Sequence, residues 1–198
     1  MTINASVQNK SIPNILIPSI MRIGAGASLC LPEVLEQLGL KKPLIITGPL
    51  VIKYGYLENI TDELSSQNIA YSVFSTVPAD PCTDTVAAAL NVFNAGNYDC
   101  IVGLGGGSPM DTAKAVSLLA VKGGEVRDYI APKDNAIPGL PVIAIPTTAG
   151  TGSEATKVTI ITDADNGEKM LLMGRAFLPT VALIDYTMTL TMPYRLTA

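Results

Sequence analysis

The stretch GLGGGSPMDTAKA, from Gly103 to Ala115, puts three consecutive glycines directly before a run with helical character. An apolar segment, 99–104, leads into it and predicts a strand. Consecutive glycines lose much conformational entropy on folding, so this position must require backbone without Cβ atoms. A turn from a parallel strand into a helix offers backbone N–H groups and the positive end of the helix dipole to an anion. We therefore predict a phosphate or pyrophosphate site here, with a purely structural turn as the alternative.

The residues after the glycines predict the start of a helix. Ser108 suits the N-cap, Pro109 the first helical position, and Asp111 the third position of a capping box. No lysine follows the last glycine, which argues against the P-loop of nucleoside triphosphatases. Ser108 also stands where the common dinucleotide fingerprint GxGxxG ends in glycine, so that fingerprint does not apply. The pattern indicates a nucleotide-binding turn of another class.

The composition indicates one globular domain. The 198 residues are 48% hydrophobic, with a mean hydropathy of +0.37. No apolar run approaches the length of about 18 residues that crosses a bilayer, so we expect a soluble, cytoplasmic protein with no membrane partner. A net charge of −4 without a basic cluster argues against nucleic-acid binding. The absence of histidine excludes His-dependent triads and His-ligated metal sites within this chain.

The cysteines are three in number and far apart, at Cys30, Cys82 and Cys100. Their spacing fits neither a disulfide framework nor a zinc site. We expect them to be buried thiols in a reducing compartment.

Short apolar segments alternate with amphipathic ones through most of the chain. The strand-like segments are 43–47, 70–75, 99–104 and 141–145, and the helix-like segments are 28–38, 57–64, 83–95 and 109–120. Strands that are apolar throughout and separated by helices predict a parallel sheet covered on both faces. We therefore predict an α/β fold with a Rossmann-like, mostly parallel sheet and helices on both faces, as a single domain over residues 1–198.

The two ends of the chain depart from this alternation. The segments 15–17 and 21–23 flank a Pro-Ser pair and predict an N-terminal β-hairpin. After residue 155, the segments 157–162, 169–173 and 180–184 predict a β-rich extension of the same sheet. No helix-like segment follows them, so we expect the chain to continue in a further part.

A second unusual loop, IPTTAGTGSE, follows the apolar strand 141–145. Thr147, Thr148 and Thr151 supply hydroxyl groups, and the glycines between them supply flexibility. Such a loop suits a ribose or a nicotinamide amide, although a loop of ordinary turn-forming residues is the alternative. Because both loops follow apolar strands, we expect one long ligand to lie across the edge of the sheet.

Both loops resemble the two signature stretches of the iron-containing (group III) alcohol dehydrogenases, relatives of glycerol dehydrogenase and dehydroquinate synthase. The matching stretches are GGGSPMDTAKA at 105–115 and AIPTTAGTGSEAT at 144–156. The resemblance implies an N-terminal NAD(P)-binding domain followed by a helical domain, in which one Asp and three His hold a divalent metal, iron or zinc. This chain has no histidine, so it resembles the nucleotide domain alone. The metal is then expected only in the full-length protein.

The resemblance also implies roles for individual residues. Gly106, Gly107 and Ser108 would contact the pyrophosphate. Asp111 would cap its helix and line the nicotinamide side. The nicotinamide and its ribose would be held by three threonines, Thr147, Thr148 and Thr151.

At the other end of the cofactor, the resemblance places Asp80 near the adenosine and Lys169 near a ribose, although Lys169 could equally be a solvated strand lysine. Gly48 stands where NAD-preferring relatives carry an aspartate, which hydrogen-bonds the ribose hydroxyls and repels a 2′-phosphate. We therefore expect NADP(H) to be tolerated or preferred.

The activity that the resemblance implies is hydride transfer between the nicotinamide C4 and a small primary alcohol carbon, with aldehyde reduction as the reverse. The alternatives are a glycerol dehydrogenase-like polyol oxidoreductase and a truncated, non-catalytic module that binds nucleotide or dimerises. Without metal ligands, we expect these 198 residues alone to be inactive. A homodimer through the N-terminal hairpin is expected.

Overall fold

A computed structural model describes residues 15–193 and contains a six-stranded parallel sheet. The described residues form these strands, of which β6 and β7 lie outside the main sheet: β1 (Ile20–Ile23), β2 (Pro43–Thr47), β3 (Ser72–Phe74), β4 (Cys100–Gly105), β5 (Val142–Pro146), β6 (Val158–Thr162), β7 (Lys169–Met173) and β8 (Val181–Ile184). The order across the main sheet is β1-β8-β5-β4-β2-β3. The predicted α/β class with a mostly parallel sheet is confirmed.

Helices cover both faces of this sheet. They are α1 (Leu31–Leu38), α2 (Pro49–Lys53), α3 (Tyr56–Ser66), α4 (Thr83–Asn94) and α5 (Gly107–Lys122). Alternate side chains of β2 enter different cores: Ile45 packs in the cluster with α1 and α3, whereas Leu44 and Ile46 pack in the cluster with α4 and α5. Strands buried on both faces need apolar residues at every position, which explains the unbroken apolar runs in the sequence. Within residues 15–193, no helix combines the length and apolar character that crossing a membrane requires.

The predicted N-terminal hairpin is wrong. β1 runs parallel to β8, with Ile20 opposite Val181 and Ile23 opposite Ile184, and residues 15–18 form no strand. Without β1, strand β8 would have an unpaired edge. Pairing with β1 satisfies the backbone N–H and C=O groups of that edge, which a local hairpin would leave without partners. The partner lies far along the chain, so the local pattern could not reveal it.

The predicted β-rich extension is only partly correct. All three strands form, but β6 and β7 make a separate two-stranded antiparallel sheet, while β8 joins the main sheet between β1 and β5. The short connection between β6 and β7 permits antiparallel pairing with each other, whereas a parallel neighbour needs a long crossover.

The cysteine prediction also holds only in part. All three thiols are free, but only Cys100 is buried, whereas Cys30 and Cys82 are half-buried just before α1 and α4. Cys100 lies in the central strand β4, where burial raises the pKa of its thiol.

Helix α5 carries a lysine into the interior. The Lys114 side chain is fully buried, and its Nζ donates to the carbonyls of Thr156 (3.2 Å) and Val158 (2.9 Å) at the start of β6. Burial lowers the pKa of Lys114 to about 8, against the opposing effect of the Asp111 and Glu154 carboxylates. The ammonium thus ties α5 to the small sheet at a cost in desolvation.

This lysine predicts a pH-dependent contribution to stability. The unfolded chain keeps the proton until about pH 10.5, while the folded chain releases it near pH 8, so the unfolded state binds more protons between these values. Raising the pH through this window therefore favours the folded state. We expect the free energy of unfolding of the wild type, relative to Lys114→Met, to increase between pH 8 and 10. Urea denaturation at several pH values measures it, with Lys122→Met on the same helix as the control. A difference that is constant with pH would contradict the prediction.

Candidate cofactor site

The glycine turn separates into two pairs with different surroundings. A Cβ on Gly103 would lie 3.0 Å from the Met110 Cα, so β4 and α5 approach each other too closely for a larger residue. Gly105 has φ +141°, and its Cβ would lie 2.9 Å from the Pro109 Cγ. These two glycines are required by the packing of the strand against the helix, which is the structural alternative that the sequence left open.

Gly106 and Gly107 face the second loop instead. A Cβ on Gly106 would lie 3.3 Å from the Thr148 Cγ2, and one on Gly107 would lie 3.5 Å from the Thr151 Cγ2. The backbone N–H of Thr147 also donates to the Gly105 carbonyl (2.9 Å). The two unusual stretches of the sequence therefore lie against each other at the carboxyl ends of β4 and β5, as expected.

The start of α5 differs from the prediction. The N-cap is Gly106, so Ser108 lies inside the first turn, where its Oγ donates to the Ala79 carbonyl (2.6 Å). The predicted Ser108 cap and its capping box are wrong, because the helix begins before the serine. Since a glycine N-cap has no side chain to accept first-turn N–H groups, those groups remain for water or a ligand.

Asp111 does not cap the helix either. Its Oδ1 accepts from the Ser153 Oγ (3.0 Å), and its Oδ2 accepts from the Ile160 N–H (3.1 Å). Burial raises the pKa of Asp111, and the Lys114 ammonium at 4.0 Å opposes that effect. The carboxylate thus binds the far end of the second loop to α5, a role that the local sequence pattern did not indicate.

The Thr148 hydroxyl lacks a hydrogen-bond partner in the described part of the chain, residues 15–193, and its Oγ1 is buried. A Cβ on Gly106 would lie 3.4 Å from this oxygen, which places the hydroxyl over the glycine turn. Because an unpaired buried hydroxyl costs stability, a polar group brought to this point by a bound molecule would stabilise the loop.

The predicted adenosine end lies beside the small sheet. The Asp80 Oδ1 accepts from the Thr162 Oγ1 (2.9 Å) and the Lys169 Nζ (3.2 Å), and these bonds lower the pKa of Asp80. The Asp80 and Lys169 side chains are 60% and 65% exposed, so their ion pair adds little to stability. The Ser108–Ala79 hydrogen bond connects this corner to the glycine turn.

Gly48 has a steric reason to be glycine. Its φ is −121°, so no unusual conformation demands glycine, but a Cβ would lie 2.8 Å from the Val77 carbonyl oxygen. Any side chain at this position requires the backbone at residue 77 to shift. The missing carboxylate that the sequence suggested is therefore only one of two explanations for Gly48.

The described residues do not fit the divalent metal of the resemblance. Residues 15–193 hold no group of three or more His, Cys, Asp and Glu side chains arranged to bind an ion. No chemical step is therefore assigned to a metal in this part of the chain.

Comparison with known proteins agrees with this geometry. The sequence model of the iron-containing alcohol dehydrogenase family matches residues 18–186. An NAD-dependent methanol dehydrogenase of Bacillus methanolicus is 37% identical over 184 residues, covering 93% of this chain and 48% of that protein. The structure of a 1,3-propanediol oxidoreductase has a TM-score of 0.89 at 30% identity, covering 94% of this chain and 49% of that one. Sulfoacetaldehyde reductase from Bifidobacterium kashiwanohense, solved with NAD+, has a TM-score of 0.84 at 29% identity, covering 93% and 49%.

The chain spans about half the length of these relatives. The family match extends over most of the chain and includes both the glycine turn and the second loop. It confirms the resemblance on which the sequence-based predictions rest. The chain belongs to the iron-containing alcohol dehydrogenase family.

Proposed function

We propose that this chain supplies the NAD(P)-binding part of an alcohol dehydrogenase that oxidises small primary alcohols and reduces the corresponding aldehydes. The observation that carries the proposal is the contact of the glycine turn with the second loop, 145–154, which we call the threonine loop, at the carboxyl ends of β4 and β5, with the buried, unpaired Thr148 hydroxyl at that contact. The names of relatives that act on methanol and 1,3-propanediol support small alcohols as the substrate class.

The cofactor would lie with its pyrophosphate at the start of α5. Gly106 and Gly107 provide clearance, and the first-turn N–H groups, including that of Ser108, bind the anion. The Ser108 hydroxyl is committed to the Ala79 carbonyl and holds the adenosine corner in place. Asp80 and Lys169 stand at that corner, where the lysine is exposed enough to reach a ribose hydroxyl.

The nicotinamide and its ribose would lie along the threonine loop, held by Thr147, Thr148 and Thr151. Asp111 is on the nicotinamide side, but both its oxygens already accept hydrogen bonds from the protein. It therefore orients the loop rather than the ligand. The bound cofactor supplies the hydride acceptor, and the residues of this chain fix its position relative to the substrate carbon.

The proposed cofactor site can be tested with the variant Gly107→Ala. The added methyl group meets its nearest neighbours at 3.5 to 3.6 Å, an ordinary contact, and alanine favours the helix, so the fold should remain intact. The methyl group would occupy the space between the two loops, and we expect NADH affinity to fall at least about tenfold. NADH fluorescence titration measures the affinity, and thermal unfolding provides the folding control. Unchanged NADH affinity in a folded variant, or a wild type that binds no NADH, would contradict the proposed site.

We further propose that NADP(H) is accepted at least as well as NAD(H), because Gly48 presents no carboxylate to a 2′-phosphate. We expect Gly48→Asp to lower NADPH affinity more than about tenfold relative to Gly48→Ala, while NADH affinity changes less. Both variants place a Cβ 2.8 Å from the Val77 oxygen, so their comparison isolates the charge from the steric effect. A wild type that binds NADPH far more weakly than NADH would rule out this preference.

We also propose a cytoplasmic homodimer. The three free thiols suit a reducing compartment. With the hairpin absent, we place the dimer contact at β1, an edge strand of the main sheet within residues 15–193, where Ile23 is 69% exposed and follows the exposed residues Ile15 and Ile17. Exposed apolar edges of this kind are normally covered by a partner strand or chain.

Sedimentation velocity tests this contact. We expect the wild type to sediment as a dimer and Ile23→Lys as a monomer, since a charge on the strand would be buried on pairing. Ile137→Lys is the control, because Ile137 is similarly exposed but belongs to the segment before β5 and not to β1. A monomeric wild type, or two variants that dimerise equally, would refute the proposed interface.

A further inference from the structure

Lys114 lies in the glycine-containing stretch 103–115, but its side chain is directed to segment 156–158 and not to the glycine turn. Its ammonium group is fully buried and donates to two backbone carbonyls, of Thr156 and Val158. A lysine in a phosphate-binding motif is ordinarily expected to contact the phosphate. Here the buried position removes it from the ligand, so its effect must pass through the backbone that it holds.

That backbone is gripped at more than one point. Asp111, one helical turn earlier, accepts from the Ser153 hydroxyl and the Ile160 N–H. Together, Asp111 and Lys114 bind segment 153–160 to α5, with 4.0 Å between the Lys114 Nζ and the Asp111 Oδ1. We call these two side chains and segment 153–160 the brace.

The brace adjoins the threonine loop directly. Residues 149–151 of that loop are exposed, and the Ala149 N–H donates to the Met192 sulfur (3.3 Å). Thr147 is anchored on one side by the Gly105 carbonyl. The brace anchors the other side, so it determines how far the threonines stand from the helix start.

We propose that Lys114 is a positioning residue that sets the spacing between the threonine loop and the glycine turn, and thereby the fit of the nicotinamide half of the cofactor. A buried ammonium costs more in desolvation than an apolar side chain of similar size, so stability alone does not explain it. Two charge-assisted hydrogen bonds to carbonyls define a distance and direction that packing alone would leave looser. The inference rests on the proposed cofactor function.

The test compares a whole cofactor with its adenosine end. In Lys114→Met, NADH affinity should fall at least about tenfold, the size of a lost charge-assisted hydrogen bond, while ADP affinity stays within about twofold. General loosening of the fold would lower both affinities together. Lys122→Met, an exposed position on the same helix, should change neither. Equal losses for the two ligands, or no loss of NADH affinity, would overturn the proposal.

A cofactor-independent measurement separates this inference from the proposed function. Hydrogen exchange of amides in residues 149–160 should quicken in Lys114→Met, while β4 and the later turns of α5 remain protected. If the wild type binds no NADH, the proposed function fails, but this exchange pattern still decides whether the brace exists. If Lys114→Met does not fold, Lys114→Gln, which keeps an uncharged NH2 donor, should show the same changes at smaller size. Unaltered exchange in residues 149–160 would refute the brace.

Discussion

The close approach of β4 and α5 is the constraint on which the rest of the structure depends. A Cβ on Gly103 would lie 3.0 Å from the Met110 Cα and 3.1 Å from the Ala113 Cβ, so no side chain separates strand from helix. β4 lies inside the main sheet, between β5 and β2, and α5 also packs against the small sheet. Fixing this one pair therefore fixes where the helix start meets the end of the neighbouring strand β5. The contact between the glycine turn and the threonine loop is a consequence of that packing.

The elements predicted best from the sequence are those whose pattern is local. The bounds of β2 were predicted to the residue, because five consecutive apolar or small residues between a lysine pair and a Gly-Pro leave little choice. The N-terminal segment failed for the opposite reason. Its strand character was visible in the sequence, but its partner β8 lies near the other end of the described chain. Strand pairing over such distances is decided by which edge is free after the sheet has formed.

The candidate site shows the same division. The meeting of the two loops was predictable, since both follow apolar strands and the carboxyl ends of parallel strands share one edge. The hydrogen bonds of Ser108 and Asp111 were not predictable. Because the helix begins at a glycine, both side chains are available for tertiary contacts. Lys114 escaped prediction because a lysine on a helix is normally a solvated residue. The signal that could have revealed it is that Lys114 is the one charged residue in the run 112–121 and follows an aspartate by three residues.

Charge balance explains how acidic residues can lie so near the proposed anion site. The carboxylates of Asp111 and Glu154 both raise the pKa of Lys114, which places two negative groups close to the ammonium beneath the glycine turn. Left uncompensated in a buried setting, they would oppose a phosphate and weaken the attraction of the helix dipole. Lys114 offsets part of this charge, while the Ser153 hydroxyl and the Ile160 N–H occupy the Asp111 oxygens. In the proposed site, backbone amides attract the anion, while the charged side chains of Asp111 and Lys114 hold the surrounding protein in place.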